Sequence, residues 1–144
     1  MAKIQHEQIL QIECVAEFNR KYPDQVGQLY MNYNNPPNGF VGEILQRAGL
    51  LRGVADLSYI VQGGRTVYIE MKYGKGKQSP AQKQFEARVV ALGFPYHLCN
   101  SLEGFMQIIE KYNPESLQEW KSVVSLRCLK VNKIRFVFAL RRLM

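Results

Sequence analysis

Residues 53–82, GVADLSYIVQGGRTVYIEMKYGKGKQSPAQ, decide how the rest of the chain is read. Two β-rich runs flank Gly63-Gly64, a strong short-range signal for a hairpin. Asp56 opens the first run, and Glu70 and Lys72 close the second, two positions apart. Strand side chains repeat every two residues, so Glu70 and Lys72 project from one face, while Val67, Ile69 and Met71 fill the other as a buried layer. Two acids and a lysine on one sheet surface have the composition needed to hold a divalent cation and position a water beside it.

Hairpin register tests that idea. A strict two-residue Gly-Gly loop pairs Gln62 with Arg65 and Asp56 with Met71, which sends Asp56 to the wrong face, because a one-residue slip inverts every side chain. A longer loop or a glycine-assisted bulge shifts the register by one and brings Asp56 opposite Glu70 or Lys72. The grouping of the trio therefore requires an odd-length loop or a bulge.

An Asp on one strand and Glu-x-Lys on the next resembles the PD-(D/E)XK nuclease signature, with Ala55 where the strict motif has proline. The wider pattern is Gly53-Val-Ala-Asp-Leu, Tyr68-Ile-Glu-Met-Lys, a Gly/Lys loop, then Ser79-Pro-Ala-Gln82. It resembles the VRR-NUC family of virus-type replication–repair nucleases, in the small standalone type of phages and bacteria. The resemblance spans residues 7–112, so 1–112 reads as a VRR-NUC-like nuclease domain and 113–144 as a C-terminal extension. It implies an α/β fold with a PD-(D/E)XK, restriction-endonuclease-like core: a central mixed β-sheet flanked by helices.

Composition agrees. A chain of 144 residues makes one domain of ordinary size, and 47% apolar residues support a globular core over disorder. The net charge of +7 favours a polyanionic partner, although solvated surface lysines give the same number. Cys14, Cys99 and Cys128 are odd in number and widely spaced, and read as buried thiols in a reducing compartment. With no signal peptide and no apolar run of membrane-spanning length, the expectation is a soluble, cytoplasmic protein, in a bacterial cytoplasm and of bacterial or phage origin as the resemblance implies.

Along the chain, 4–21 carries helical periodicity, with Ile9, Ile12, Val15 or Ala16, and Phe18 as the expected apolar stripe and Pro23 as its stop. Glu7 and Gln11 share a face of that helix. The resemblance implies that such a Glu/Gln pair flanks the metal site, with Glu13 as a rival to Glu7; a plain solvated face is the alternative. Gln28 to Tyr33 reads as a short strand leading into the loop Asn34-Asn35-Pro36-Pro37-Asn38-Gly39. Asn34 and Asn35 read as turn formers, and Asn34 is carried as a DNA contact through its loose match to an Asn-rich family segment. A helix is expected from Gly39 to Leu50, with Arg47 and Arg52 either facing DNA or free on the surface.

Beyond the hairpin, alternating Gly74, Lys75, Gly76 and Lys77 offer backbone amides and mobile charge to a phosphate backbone. Walker spacing is absent, so nothing points to ATP. Ser79 reads as an N-cap with Pro80 at the first helical position, and Ala81, Phe85, Val89 and Leu92 as the buried stripe up to Gly93. Gln82 falls in the first turn; the resemblance implies that it supports the lysine or the attacking water, whereas on periodicity alone it is an ordinary polar residue. Phe94 to Cys99 reads as a strand, and Ser101 caps a helix to Tyr112 with Leu102, Phe105, Ile108 and Ile109 inside. His97 has no second histidine near it, which argues against zinc and against a Ser/His/Asp hydrolase.

After Asn113-Pro114, a short helical stretch precedes alternating runs at 124–129 and 134–140. Ile134, Phe136 and Phe138 make one of these faces too apolar for water, fit for a sheet edge or a dimer contact. Arg127, Lys130, Lys133, Arg135, Arg141 and Arg142 carry much of the charge.

Together these readings describe a metal-dependent deoxyribonuclease. Asp56, Glu70 and the Met71 carbonyl would hold one Mg²⁺ or Mn²⁺, Glu7 would add an outer or second-metal contact, and Lys72 and Gln82 would serve catalysis. Lys75, Lys77, Arg52, Asn34 and Gln11 are the candidate DNA contacts. The resemblance implies a 5′-phosphate product and a homodimer that cuts branched DNA such as four-way (Holliday) junctions in replication and repair. A restriction-type endonuclease, an exonuclease and a non-catalytic DNA-binding module are the rival uses of the same fold.

Overall fold

The computed structural model describes residues 6–33, 36 and 38–113. The expectations for 114–144, and for Asn34 and Asn35, lie outside the described residues.

Four strands form one mixed sheet in the order β1 (Leu29–Met31), β2 (Leu57–Val61), β3 (Arg65–Met71), β4 (Tyr96–Cys99). The first two pairings are antiparallel and the β3–β4 pairing is parallel, with helix α3 (Pro80–Ala91) as the crossover that a parallel pair requires. The helices α1 (His6–Lys21) and α4 (Leu102–Tyr112) cover the other face, and α2 (Gly39–Arg47) lies between β1 and β2 in sequence. The architecture is α/β, a mixed sheet flanked by helices.

Strand β3 divides the core in two. Val67, Ile69 and Met71, all fully buried, join Leu57, Tyr59 and Val61 of β2 under Cys14 and Phe18 of α1 and Phe105 and Ile109 of α4. Tyr68 lies on the opposite face, among Phe85 and Val89 of α3, Ala55, Phe94 and Tyr96. Its ring meets Phe85 edge-on at 5.2 Å between centroids, the geometry that aromatic quadrupoles favour.

The hairpin takes the odd-length form. Val61 pairs with Arg65 across a three-residue loop, Gln62-Gly63-Gly64, and Leu57 pairs with Ile69. One step further along this register, Asp56 falls opposite Glu70. Gly63 and Gly64 both have positive φ, +87° and +75°, a backbone that a side chain would strain.

Three expected stripes are corrected. In α1 the inward line runs through Leu10, Cys14 and Phe18, while Ile12 is 62% exposed and Ile9 is also outside. At 100° per residue Ile12 lies nearly opposite Cys14, so aliphatic character alone misplaces the face. In α3, Phe85 and Val89 are buried but Leu92 is 69% exposed: it caps the helix where Gly93 turns the chain away. Leu102, expected inside α4, is likewise exposed at its first position.

Candidate active site

The site lies where β3 ends. Glu70 and Lys72 emerge on the α3 face, and the Lys72 ammonium donates to Glu70 Oε1 at 2.7 Å. Glu70 is fully buried and Lys72 nearly so, which makes this an ion pair held out of water, unlike the solvent-exposed Arg47–Glu43 pair on α2. Burial, the largest influence, pushes the Glu70 carboxyl up to about 7; the Asp56 charge adds to the rise, and the Lys72 and Tyr96 hydrogen bonds oppose it.

Gln82 reaches the same carboxylate, and the helix cap dictates how. Ser79 accepts from the Gln82 backbone N–H at 3.2 Å, and Gln82 Oε1 accepts from the Ser79 N–H at 2.8 Å, a reciprocal capping box. With its oxygen committed to the cap, the Gln82 side chain must offer its NH₂ outward, and Nε2 donates to Glu70 Oε1. Gly53 permits this approach. Its φ is +80°, and a Cβ there would collide with the Ala81 carbonyl and stand 2.7 Å from the Gln82 nitrogen. Only a glycine lets the chain approaching Asp56 lie against the first turn of α3.

Asp56 is locked from two sides. Its Oδ2 accepts from the Met71 N–H at 2.8 Å, which ties it across the hairpin to the strand that carries Glu70. Asn32, just past β1, donates from its amide to the Ala55 carbonyl at 2.7 Å and to Ser58 Oγ at 2.9 Å, while its backbone N–H donates to the Asp56 carbonyl at 2.8 Å. Ala55, standing where the strict motif has proline, is fully buried.

Helix α1 approaches from the opposite face. Glu7, Gln11, Cys14 and Phe18 are spaced by four, three and four, so they form a single line along the helix. The lower half of that line is core; the upper half turns polar as it passes the end of the sheet. Glu7 Oε1 accepts from the Tyr73 N–H at 3.2 Å, and Gly76 of the Gly/Lys loop sits against both Glu7 and the Lys72 stem. Glu13, the rival, is exposed away from this line.

The structure thus brings Asp56, Glu70, Lys72 and Gln82 together and sets Glu7 at the rim. Among the described residues no three His, Cys, Asp or Glu side chains gather as a metal cage, and the contact Glu7 makes is with the Tyr73 N–H. Gln11 is half-buried on the α1 line; Lys75 and Lys77 are exposed on the loop. Arg47 pairs with Glu43 at 2.9 Å on the exposed side of α2. His97 meets Tyr112 Oη at 2.9 Å from Nε2.

Two participants carry no sequence signal. Tyr96 places its hydroxyl 3.4 Å from Glu70 Oε2, and Gln78 links that hydroxyl to Glu86. Asn32 precedes Asn34 and Asn35 in the sequence by two and three positions, and the Pro/Gly-rich run that follows carries the stronger turn signal. In both cases the partner comes from another strand, which local periodicity does not register; the one available hint is an Asn at the close of a strand.

Comparison with family models and with curated proteins finds no match. Solved structures do match, and one is a VRR_NUC domain protein, with a TM-score of 0.60 and 19% identity over 76% of this chain and 89% of that one. The chain shares the fold of that protein. Within that fold, the hairpin that bears Asp56, Glu70 and Lys72 and the capped helix that bears Gln82 are the elements assembled above. No helix among the described residues is long and apolar enough to cross a membrane.

Proposed function

We propose that this protein is a divalent-metal-dependent DNA nuclease whose centre is Asp56, Glu70, Lys72 and Gln82. The observation that carries the proposal is the buried Glu70–Lys72 pair facing Asp56 across a register that an odd-length hairpin loop allows. A fold can be stabilised without burying such a pair, since apolar residues of similar volume serve as well or better. The VRR-NUC fold and the net charge of +7 support a polyanionic substrate.

The donor set fits Mg²⁺ or Mn²⁺. Asp56 and Glu70 are hard oxygen ligands, and the Met71 carbonyl shares the strand edge of the Met71 N–H that Asp56 accepts. The elevated Glu70 carboxyl is the mark of an acid whose charge lacks full compensation, and a cation beside it and Asp56 would provide that compensation. When bound, the ion would polarise the scissile phosphodiester and acidify a water.

The chain's own residues do the rest. Gln82, oriented by the Ser79 cap, and Tyr96 hold Glu70 in one rotamer. The Lys72 ammonium has three donors, and Glu70 takes one of them. The others can orient a water or meet the charge that builds on the phosphate. Glu7 steadies the strand end from the far side through the Tyr73 N–H. Lys75, Lys77 and Arg52 supply positive charge along the path of the DNA backbone. The expected products are a 5′-phosphate and a 3′-hydroxyl.

The finer reading is a structure-selective endonuclease that acts as a homodimer on four-way junctions, two sites related by a two-fold making paired cuts. Cleavage of a labelled junction, a flap and a plain duplex, in Mg²⁺, Mn²⁺ or EDTA, tests both levels. Metal-dependent paired cuts at the junction, lost in Asp56→Asn, are expected. Shortening from an end or cuts at a fixed sequence would keep the nuclease and replace the junction reading. Binding without cleavage in every condition would overturn the proposal.

A further inference from the structure

A cavity of about 420 Å³ opens next to Gly53, with Pro36, Gly39, Gln46, Leu50, Leu51 and Arg52 among the other residues that line it. Such a volume is within the range of small-ligand pockets, roughly 300–1,000 Å³, and is spacious for a lone anion. Its walls are of two kinds. Pro36, Leu50 and Leu51 give an apolar surface on which a flat ring can rest. Arg52 gives a guanidinium held in place by Gln46: with the Gln46 amide oxygen turned toward it, Nε donates at 2.9 Å and one Nη at 3.1 Å. Among the described residues Arg52 pairs with no carboxylate, so its remaining N–H groups and its charge are available to an anion.

Position ties the cavity to the chemistry. Gly53 lines it and also packs directly on Ala81 and Gln82, and Gln82 holds Glu70. Asp56 follows Gly53 by three residues. A nucleotide lodged in the cavity would therefore be a near neighbour of the phosphodiester at Asp56 and Glu70.

We infer that this cavity is a subsite for one unpaired nucleotide next to the scissile phosphate, its base against Pro36, Leu50 and Leu51 and its phosphate on Arg52. The inference rests on the nuclease reading and narrows its substrate class. A base lodged in this half-open cavity is turned out of the duplex stack, and extruding it costs least where it already lacks a partner. The favoured substrate is DNA with an unpaired nucleotide at the cut: a branch point, a flap base or a bulge.

The test uses the full chain in EDTA, so that binding is read without cleavage. Fluorescence anisotropy compares a labelled duplex carrying a one-nucleotide bulge with the same duplex without it, for wild type, Gly39→Phe and Arg52→Ala. Gly39 lines the cavity, no atom lies within 4 Å of a Cβ built there, and its φ is outside the left-handed region, so a phenylalanine adds bulk at the cavity without backbone strain. Wild type is expected to prefer the bulged duplex at least tenfold, and both variants, with melting curves like wild type, to lose that preference. Absence of a preference in wild type, or its survival in either folded variant, would overturn the subsite. Preference intact in a protein that cleaves no DNA in Mg²⁺ or Mn²⁺ would uphold the subsite and sink the nuclease reading.

Discussion

The two faces of β3 divide the work of the molecule. Val67, Ile69 and Met71 on one side are fully buried among apolar neighbours, while Tyr68, Glu70 and Lys72 on the other begin as core and end as chemistry. Helix α3 produces the difference. Its middle, at Phe85 and Val89, seals the sheet around Tyr68 and Tyr96, whereas its first turn presents Gln82 to Glu70 instead of an apolar side chain. One strand can serve both purposes because alternation separates them residue by residue. Changes on the two faces should therefore fail in different ways.

The largest effect belongs to the polar face. Glu70→Gln preserves shape and hydrogen-bonding capacity but removes a carboxylate, and cleavage should fall by about 10³-fold or more, with the far-ultraviolet circular dichroism of the wild type. Ile69→Ala, its neighbour on the opposite face, should show the reverse: about 2–5 kcal/mol lost in urea unfolding from the cavity it leaves, and little change in turnover per folded molecule. If both substitutions impaired activity and stability alike, the division of the strand would be broken.

Gln82 refines the comparison because it serves both roles. Gln82→Ala loses the cap acceptor and the donor to Glu70, so about 1 kcal/mol of stability and roughly ten- to a hundredfold of kcat should go together. Gln82→Glu restores the capping box but has no NH₂ to donate, so stability should recover relative to alanine while activity does not. Recovery of both would show that the glutamine acts only through the helix.

The mildest perturbation is a change of pH. The Glu70 carboxyl sits at about 7 in the fold, above its ordinary value of 4.5, so between these limits the folded state holds more proton than the unfolded chain. Stability should be fully present below about pH 4.5 and be lost as pH rises through about 7 in the metal-free protein. Thermal melts in EDTA across that window should show the decline, and Glu70→Gln should flatten it. A slope that persists in the variant would assign it to other groups.

How much of this the sequence discloses depends on whether the signal is local. The side-by-side placement of Glu70 and Lys72 follows from strand alternation, and the Ser79-Pro80 start of α3 from capping chemistry. Both need only neighbours. Alternation also dictates the odd-length loop that Asp56 requires, and Gln62-Gly63-Gly64 supplies it. The face of α1 is harder to read because Cys14, small and weakly hydrophobic, marks the inward line better than Ile9 or Ile12. Placed on that line, Glu7 and Gln11 are the continuation of a buried stripe past the edge of the sheet. Asn32 and Tyr96 escape sequence reasoning because their partners, Ala55, Ser58 and Glu70, become adjacent only when strands pair. Gln25 escapes it for the same reason: its buried amide accepts from the Tyr59 hydroxyl at 2.9 Å and donates to Asn113 at 2.8 Å.

The most direct test of the central claim is single-turnover cleavage of end-labelled DNA by wild type and Lys72→Ala, each in Mg²⁺ and in EDTA. The account predicts cleavage by wild type in Mg²⁺ alone, with a loss of at least about 10²-fold in the variant at unchanged DNA affinity. Equal rates for the two proteins, or cleavage that survives EDTA, would contradict it.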